Sequence, residues 1–151
     1  MIYNFLPLVF LFVTFFTNTD NKQKTAEVIV NTTTFNNSNA RILNVYSHLN
    51  ANNFAMPNLE SFTEALTGFY EMKEKGLIQK DILTIIDFSL SSNVKRLWVI
   101  DLATNTILNN SLVAHGRNTG EEFATSFSNQ DSSYKSSLGI YATAEVYNGK
   151  H

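Results

Sequence analysis

At 151 residues, 44% hydrophobic and 16% charged, the chain is long enough to bury one domain's core and too apolar to be a disordered charged tail. Its net charge of −2, from 11 basic and 13 acidic residues with no basic cluster, argues against nucleic acid as a partner. The count of zero cysteines excludes disulfides, thiolate metal sites and a thiol nucleophile within these residues.

Ile2 to Phe16 is an apolar run followed by the polar stretch Thr17 to Lys24, the length of the h-region of a secretory leader. No Lys or Arg precedes the run and no Ala-x-Ala site follows it. A membrane anchor is the alternative, but the run is short of the roughly 20 apolar residues that span a bilayer. Residues 1–19 are therefore expected to be a signal peptide or short anchor, and residues 20–39, rich in Asn, Thr and Lys, a polar linker. Export to the periplasm or cell envelope follows, with membrane contact only through this N-terminal segment if it is uncleaved.

Ile42, Val45, Tyr46 and Leu49 recur at three and four residues, which predicts a short helix over Ala40 to Leu49 with Ser38 or Asn39 as its N-cap. After Pro57 a stronger helix is expected. Leu59, Phe62, Leu66 and Phe69 share a face, Lys73 and Lys75 lie near the end, and Gly76 can close the C-terminus.

Beyond Gly76 the period falls from 3.6 towards 2. Ile82 to Phe88, Arg96 to Leu102 and Thr106 to Val113 are rich in β-branched and large apolar residues and predict strands, the last two joined as a hairpin through Ala103 to Asn105. In Leu138 to Tyr147, Ile140, Ala142 and Ala144 alternate with Tyr141, Thr143 and Glu145, as in a half-buried strand. The expected class is α+β, with N-terminal helices packed on a mostly antiparallel sheet. Phe62, Phe69, Phe88 and Trp98 all fall where a core is predicted, so packing accounts for the aromatic content better than ligand stacking does.

Between the hairpin and the last expected strand, Ala114 to Ser137 forms a polar loop of a length that is usually either functional or disordered. His115, Gly116 and Arg117 directly follow a predicted strand, where a basic pair could meet a ligand carboxylate, Arg by a bidentate fork. The plainer alternative, and the commoner fate of single residues of these types, is an Arg salt bridge and a hydrogen-bonded His that fix the loop.

Other chemistry finds little support. The histidines at 48, 115 and 151 lack the spacing of a helical metal motif, so no metal is expected. No G-x-S-x-G elbow supports a serine hydrolase, and the six glycines form neither G-x-G-x-x-G nor a Walker loop, so neither a nucleotide nor another cofactor is expected. Asn31, Asn36 and Asn109 each begin an N-x-S/T triplet, a glycan acceptor in some exported chains and a chance occurrence in an Asn-rich one.

The segments LTIIDFS (83–89), KRLWVIDL (95–102), LVAHGRNTG (112–120), ATSFSN (124–129) and SSLGIYATAEVYNGKH (136–151) resemble, in this order, the front half of the catalytic domain in a branch of the murein L,D-transpeptidase family. The helical run EALTGFYEMKEKGLI (64–78) resembles the stretch leading into that domain, so the resemblance covers roughly residues 40–151. It implies a β-sandwich-like catalytic fold, a place in the cell envelope, and cross-linking or remodelling of peptidoglycan stem peptides through a Cys nucleophile. In such an enzyme a thiolate attacks a peptide carbonyl, a His takes and returns the proton, and backbone N–H groups hold the oxyanion.

The family carries its catalytic His in a His-Gly motif and its Cys in a Gly-Cys motif, both downstream of the strand expected at Leu138 to Tyr147. Neither occurs up to His151, so no catalytic residue is assigned to this chain. His115 precedes a Gly but belongs to VAHGR and does not take the catalytic role, nor does His151. The expectation is an N-terminal portion of a transpeptidase, with residues 40–151 forming helices plus an incomplete catalytic domain. As such a piece it is expected to be inactive and, with an unpaired sheet edge, marginally stable. His115, Arg117 and Tyr141 are the candidate substrate-binding residues for a stem peptide. The rival readings are a non-catalytic exported peptidoglycan-binding domain and an exported adhesion or scaffold domain.

Overall fold

Two patterns of apolar spacing build the elements of the computed structural model, which describes residues 38–144. Helical spacing gives α1 (38–47) and α2 (Leu59–Glu74), and alternation gives β1 (Ile82–Ile86), β2 (Leu97–Asp101) and β3 (Thr106–Ser111). All described residues belong to one unit, Asn37–His151. The expected leader, and the linker up to residue 37, lie outside the described residues, as do residues 145–151.

Helix α1 already includes Ser38 and Asn39, expected as caps, and stops at 47, two residues short of the expected end. Side chains take over there: Nδ1 of His48 donates to the Asn44 carbonyl at 2.8 Å and the Ser47 hydroxyl donates to the same carbonyl at 2.9 Å. Propensity differences of a few tenths of a kcal/mol per residue do not fix such ends in advance.

Helix α2 begins and ends as its sequence predicts. The Asn58 side chain accepts from the Glu60 N–H at 2.8 Å, an N-cap that satisfies one of the orphan donors of the first turn. At the other end Gly76, at φ 70°, turns the chain left-handed, with Leu77 N–H bonding to Met72 O at 2.9 Å and Gly76 N–H to Lys73 O at 3.0 Å, a Schellman closure. Phe62, Leu66 and Phe69 are buried, whereas Leu59, on the same face but in the first turn, is exposed.

The three strands form one antiparallel sheet in the order β1-β2-β3. Ile85 pairs with Trp98, and Trp98 in turn with Asn110; Leu83 pairs with Ile100, and Ile100 with Ile107. Leu83, Ile85, Trp98, Ile100 and Ile107 therefore face inward, against Phe62, Leu66 and Phe69 of α2 and Ile42 and Leu49 beside α1. Each large side chain fully buried here stabilises the fold by roughly 1.5–3 kcal/mol. A register shift between Val99 and Ile100 leaves both Leu108 and Asn109 outside. The hairpin turn is held by Asp101, whose Oδ1 accepts from the Ala103 N–H at 2.9 Å.

Two side-chain bonds pin the end of the connection that leads into α2. The Trp98 indole N–H donates to Ala55 O and the Tyr46 hydroxyl to Pro57 O, each at 2.8 Å, and the Tyr46 ring meets Phe62 edge-on with centroids 5.2 Å apart. The edge of β3 is partly covered by Asn50, whose N–H donates to Asn105 O at 2.7 Å and whose carbonyl accepts from Ile107 at 2.9 Å.

The architecture is α+β, as expected. The described residues hold a single sheet, and the second layer of a sandwich does not lie among them. One expected element is overturned: residues 138–144 of the predicted strand Leu138 to Tyr147 are not a strand. Alternation supplies only a preference, and a strand exists by bonding to a neighbour. Here Ile140 packs instead on α2, at the buried Gly68, where even one added Cβ would overlap the Ile140 Cδ1.

Candidate functional site

Arg96 organises the region around the polar loop. It immediately precedes β2 and is fully buried. Its Nη1 donates to Leu90 O at 2.8 Å, its Nη2 and Nε to Val113 O at 3.1 and 3.3 Å, and its Nη2 lies 2.8 Å from Nδ1 of His115. Its charge also lies over the Phe88 ring, 5.2 Å from the centroid. One planar fork thus ties the turn after β1 to the segment leaving β3, which a single ammonium could not do.

That contact assigns the tautomer of His115. A guanidinium only donates, so Nδ1 accepts, and the proton sits on Nε2, which donates to the Gly120 carbonyl at 3.1 Å. His115 therefore fixes the loop, as the plainer reading of the sequence has it. Both of its ring nitrogens are engaged.

Asp87 lies beside this hub at 5% exposure. Ser61 of α2 donates to Oδ2 at 2.8 Å, and the Ser89 hydroxyl and N–H donate to Oδ1 at 2.6 and 3.0 Å. Burial works to raise the carboxyl pKa, but the bonds from Ser89 and Ser61 and the nearby Arg96 charge together hold it below the ordinary carboxylate value.

The loop Ala114 to Ser137 is ordered without strands, by bonds to itself. Thr119, fully buried, accepts at its carbonyl from Thr125 and Ser126, both at 2.9 Å, and at its hydroxyl from the Ser136 N–H at 2.7 Å. Gly116 donates to the Ser136 hydroxyl at 2.9 Å and runs so close to the returning chain that an added Cβ would lie 2.6 Å from Tyr134 O. The Lys135 ammonium reaches the Ser126 hydroxyl at 2.6 Å. Glu122 ties the loop to the turn after β1, through Ser92 N–H at 2.9 Å and the Ser91 hydroxyl at 2.6 Å.

Between that turn and the loop opens a cavity of about 230 Å³, lined by Ser92, His115, Arg117, Gly120 and Glu121 among others. Arg117 is exposed, its guanidinium 4.5 Å above the centroid of the Tyr134 ring, and no carboxylate pairs with it among the described residues. The structure thus brings His115 and Arg117 to one cavity. Tyr141 does not line it; its hydroxyl donates to Leu138 O at 3.1 Å and the residue is 62% exposed. A larger hollow of about 630 Å³ lies where Arg41, Tyr70, Lys73 and Asp81 meet, with Lys73 and Asp81 paired and Arg41 over the Tyr70 ring at 4.1 Å. Among the described residues no group of three or more His, Asp or Glu side chains is placed to hold a metal ion.

Against models of known families, residues 55–151, well over half the chain, match the L,D-transpeptidase catalytic domain. The chain belongs to that family. No curated protein and no solved structure matches it. Within this L,D-transpeptidase domain, the match takes in α2, the whole sheet and the loop that carries His115 and Arg117. Arg96, Asp87 and Thr119 are the site residues that sequence reasoning missed. The only signal was positional: an Arg abutting a strand as apolar as Leu97 to Ile100 has little water within reach and needs protein acceptors.

Proposed function

We propose that this L,D-transpeptidase domain serves cross-linking or remodelling of peptidoglycan, and that the described residues hold the stem peptide at the loop carrying His115 and Arg117. What supports the reading most is Arg117: a guanidinium steadied on Tyr134, free of any carboxylate among the described residues, on the rim of a cavity. A peptide's carboxylate is a natural partner for such a group. Tyr141, an exposed residue, is proposed to pack against the same ligand. Export to the periplasm or cell envelope is part of the proposal, motivated by the apolar run from Ile2 to Phe16. So is a sandwich in which β1, β2 and β3 form one layer; the exposed outer side chains Ile82 and Ile86 favour a covered face.

Acyl transfer in this family's manner requires a thiolate, and the 151 residues contain no cysteine. These residues on their own are therefore proposed to bind without turning the peptide over.

Calorimetry with a stem tetrapeptide tests the binding claim. Saturable binding is expected, with Arg117→Gln weakening it about tenfold, the worth of one charge-assisted hydrogen bond. Absence of binding at millimolar peptide, or an unchanged Kd in the variant, contradicts it.

A further inference from the structure

We infer that His115 is an acid-sensitive latch: a proton added at Nδ1 breaks its contact with Arg96 and frees the loop that carries Arg117, while the sheet stays intact. No ligand enters this inference, so it stands apart from the peptide-binding reading.

The two ring nitrogens face unlike partners. Nε2 donates to the Gly120 carbonyl at 3.1 Å, a bond that a neutral and a protonated imidazole can both make. Nδ1 lies 2.8 Å from Nη2 of Arg96, and a guanidinium only donates, so this bond exists only while Nδ1 keeps its lone pair. A proton there turns the acceptor into a donor and sets one cation directly against another. Arg96 cannot give way, because it is fully buried and a guanidinium does not lose its charge. Imidazole is the side chain that ordinarily changes charge between about pH 5 and pH 8, which makes mild acid the stimulus.

The surrounding charges do not rescue the contact. In the loop, Arg117, Glu121 and Glu122 are exposed, so water and salt screen them, and Arg117 and Glu121 line the cavity with His115. Just after β1, Asp87 acts on Arg96 through its charge, but its oxygens already accept from Ser61 and Ser89. Helix α2 reaches this hub through Ser61, which carries no charge.

The remaining bonds decide how far the opening spreads. Without His115, Arg96 still donates to Leu90 O at 2.8 Å and to Val113 O at 3.1 and 3.3 Å, so the guanidinium stays anchored and the start of β2 holds. The loop is held by less. Its turn from Gly116 to Gly120 is spanned by the ring and by the bond from Thr119 N–H to Gly116 O at 2.8 Å. Its other ties to the segment after β1 are those of the exposed Glu122 with Ser91 and Ser92 and the contact of the Phe88 and Phe127 rings, 5.8 Å between centroids. Release therefore stays local.

The test is amide hydrogen exchange of the 151-residue chain at about pH 8 and about pH 5.5, corrected for the intrinsic pH dependence of exchange. Both conditions lie above the acid range in which Asp87 matters. The reporters are the Thr119 amide in the turn and the Ser92 amide, which bonds to Glu122 O; the Leu102 and Ile107 amides report the sheet. Protection at Thr119 and Ser92 is expected to fall about tenfold at the lower pH, the worth of one charge-assisted hydrogen bond, with Leu102 and Ile107 unchanged. His115→Gln offers a carbonyl to Arg96 and an N–H to Gly120 and takes up no proton, so its protection is expected to be equal at the two pH values and close to that of the parent chain at about pH 8. His115→Ala has neither bond and is expected to be equally unprotected at both. Protection in the parent chain that does not change with pH overturns the latch, as does a loss shared by Leu102 and Ile107. A His115→Ala variant that keeps the parent's pH response also overturns it, because another group then carries the titration.

Discussion

Nη2 of Arg96 lies 2.8 Å from Nδ1 of His115, a buried guanidinium donating to an imidazole 19 residues further along the chain. The pairing gives the loop of this L,D-transpeptidase domain its form. It sets the ring so that Nε2 grips Gly120, and the short turn between His115 and Gly120 then carries Arg117 to the cavity rim.

Arg96→Ala is expected to leave the Leu90 and Val113 carbonyls without their donor and to destabilise the domain by about 3 kcal/mol. Arg96→Lys keeps the charge but not the fork, and is expected to recover less than half of that loss. Trp98, the one tryptophan and a buried one, reports unfolding by fluorescence, so urea midpoints measure both variants. A midpoint for Arg96→Ala equal to that of the parent chain contradicts the role assigned to Arg96.

Asp87 makes the stability depend on acid. Its carboxyl is held below the ordinary value, so the folded state binds that proton less readily than the unfolded one. The contribution is complete above the unfolded pKa, near pH 4, and is lost as pH falls through the lower folded value. Asp87→Asn is expected to cost on the order of 2 kcal/mol at pH 7 and progressively less below about pH 4. Denaturation of both proteins across that range checks the sign; a gap that widens in acid contradicts it.

Gly68 is a mid-helix glycine whose replacement by Ala would raise helix propensity by about 1 kcal/mol. Its Cβ would occupy the place of the Ile140 Cδ1, the tip of a side chain that can swing away. Gly68→Ala is therefore expected to change global stability by less than about 1 kcal/mol while speeding amide hydrogen exchange around Gly139 to Tyr141. Unchanged exchange there shows that Ile140 does not hold the segment.

Trp98→Phe removes the donor to Ala55 O and some buried ring area, with an expected loss of about 2 kcal/mol by circular dichroism melts. Faster exchange between Phe54 and Asn58 is expected to accompany it, because the Tyr46 bond to Pro57 then remains while the Ala55 carbonyl has lost its anchor.

Much of this was readable from residue spacing. Phe62, Leu66 and Phe69 announce the buried face of α2, Gly76 its closure, and the β-branched runs around Ile85, Ile100 and Ile107 the three strands, because periodicity and turn chemistry are local. Residues 138–144 were misread, because alternation cannot say whether Ile140 will meet a strand or a glycine on a helix. Arg96 was silent for a related reason: its acceptors at Leu90, Val113 and His115 are separate in sequence and meet only in the fold. His115 and Arg117 were visible as a pair, but not their separate duties, since nothing local reveals that Arg96 occupies the ring of one while Tyr134 carries the other.

The most direct test is to incubate the 151-residue chain with a peptidoglycan stem tetrapeptide and follow both by mass spectrometry and equilibrium dialysis. The peptide is predicted to be retained by the chain and recovered unchanged, with no mass added covalently to the protein. A trimmed or cross-linked peptide, or an acylated chain, contradicts the claim that these cysteine-free residues bind without turning over.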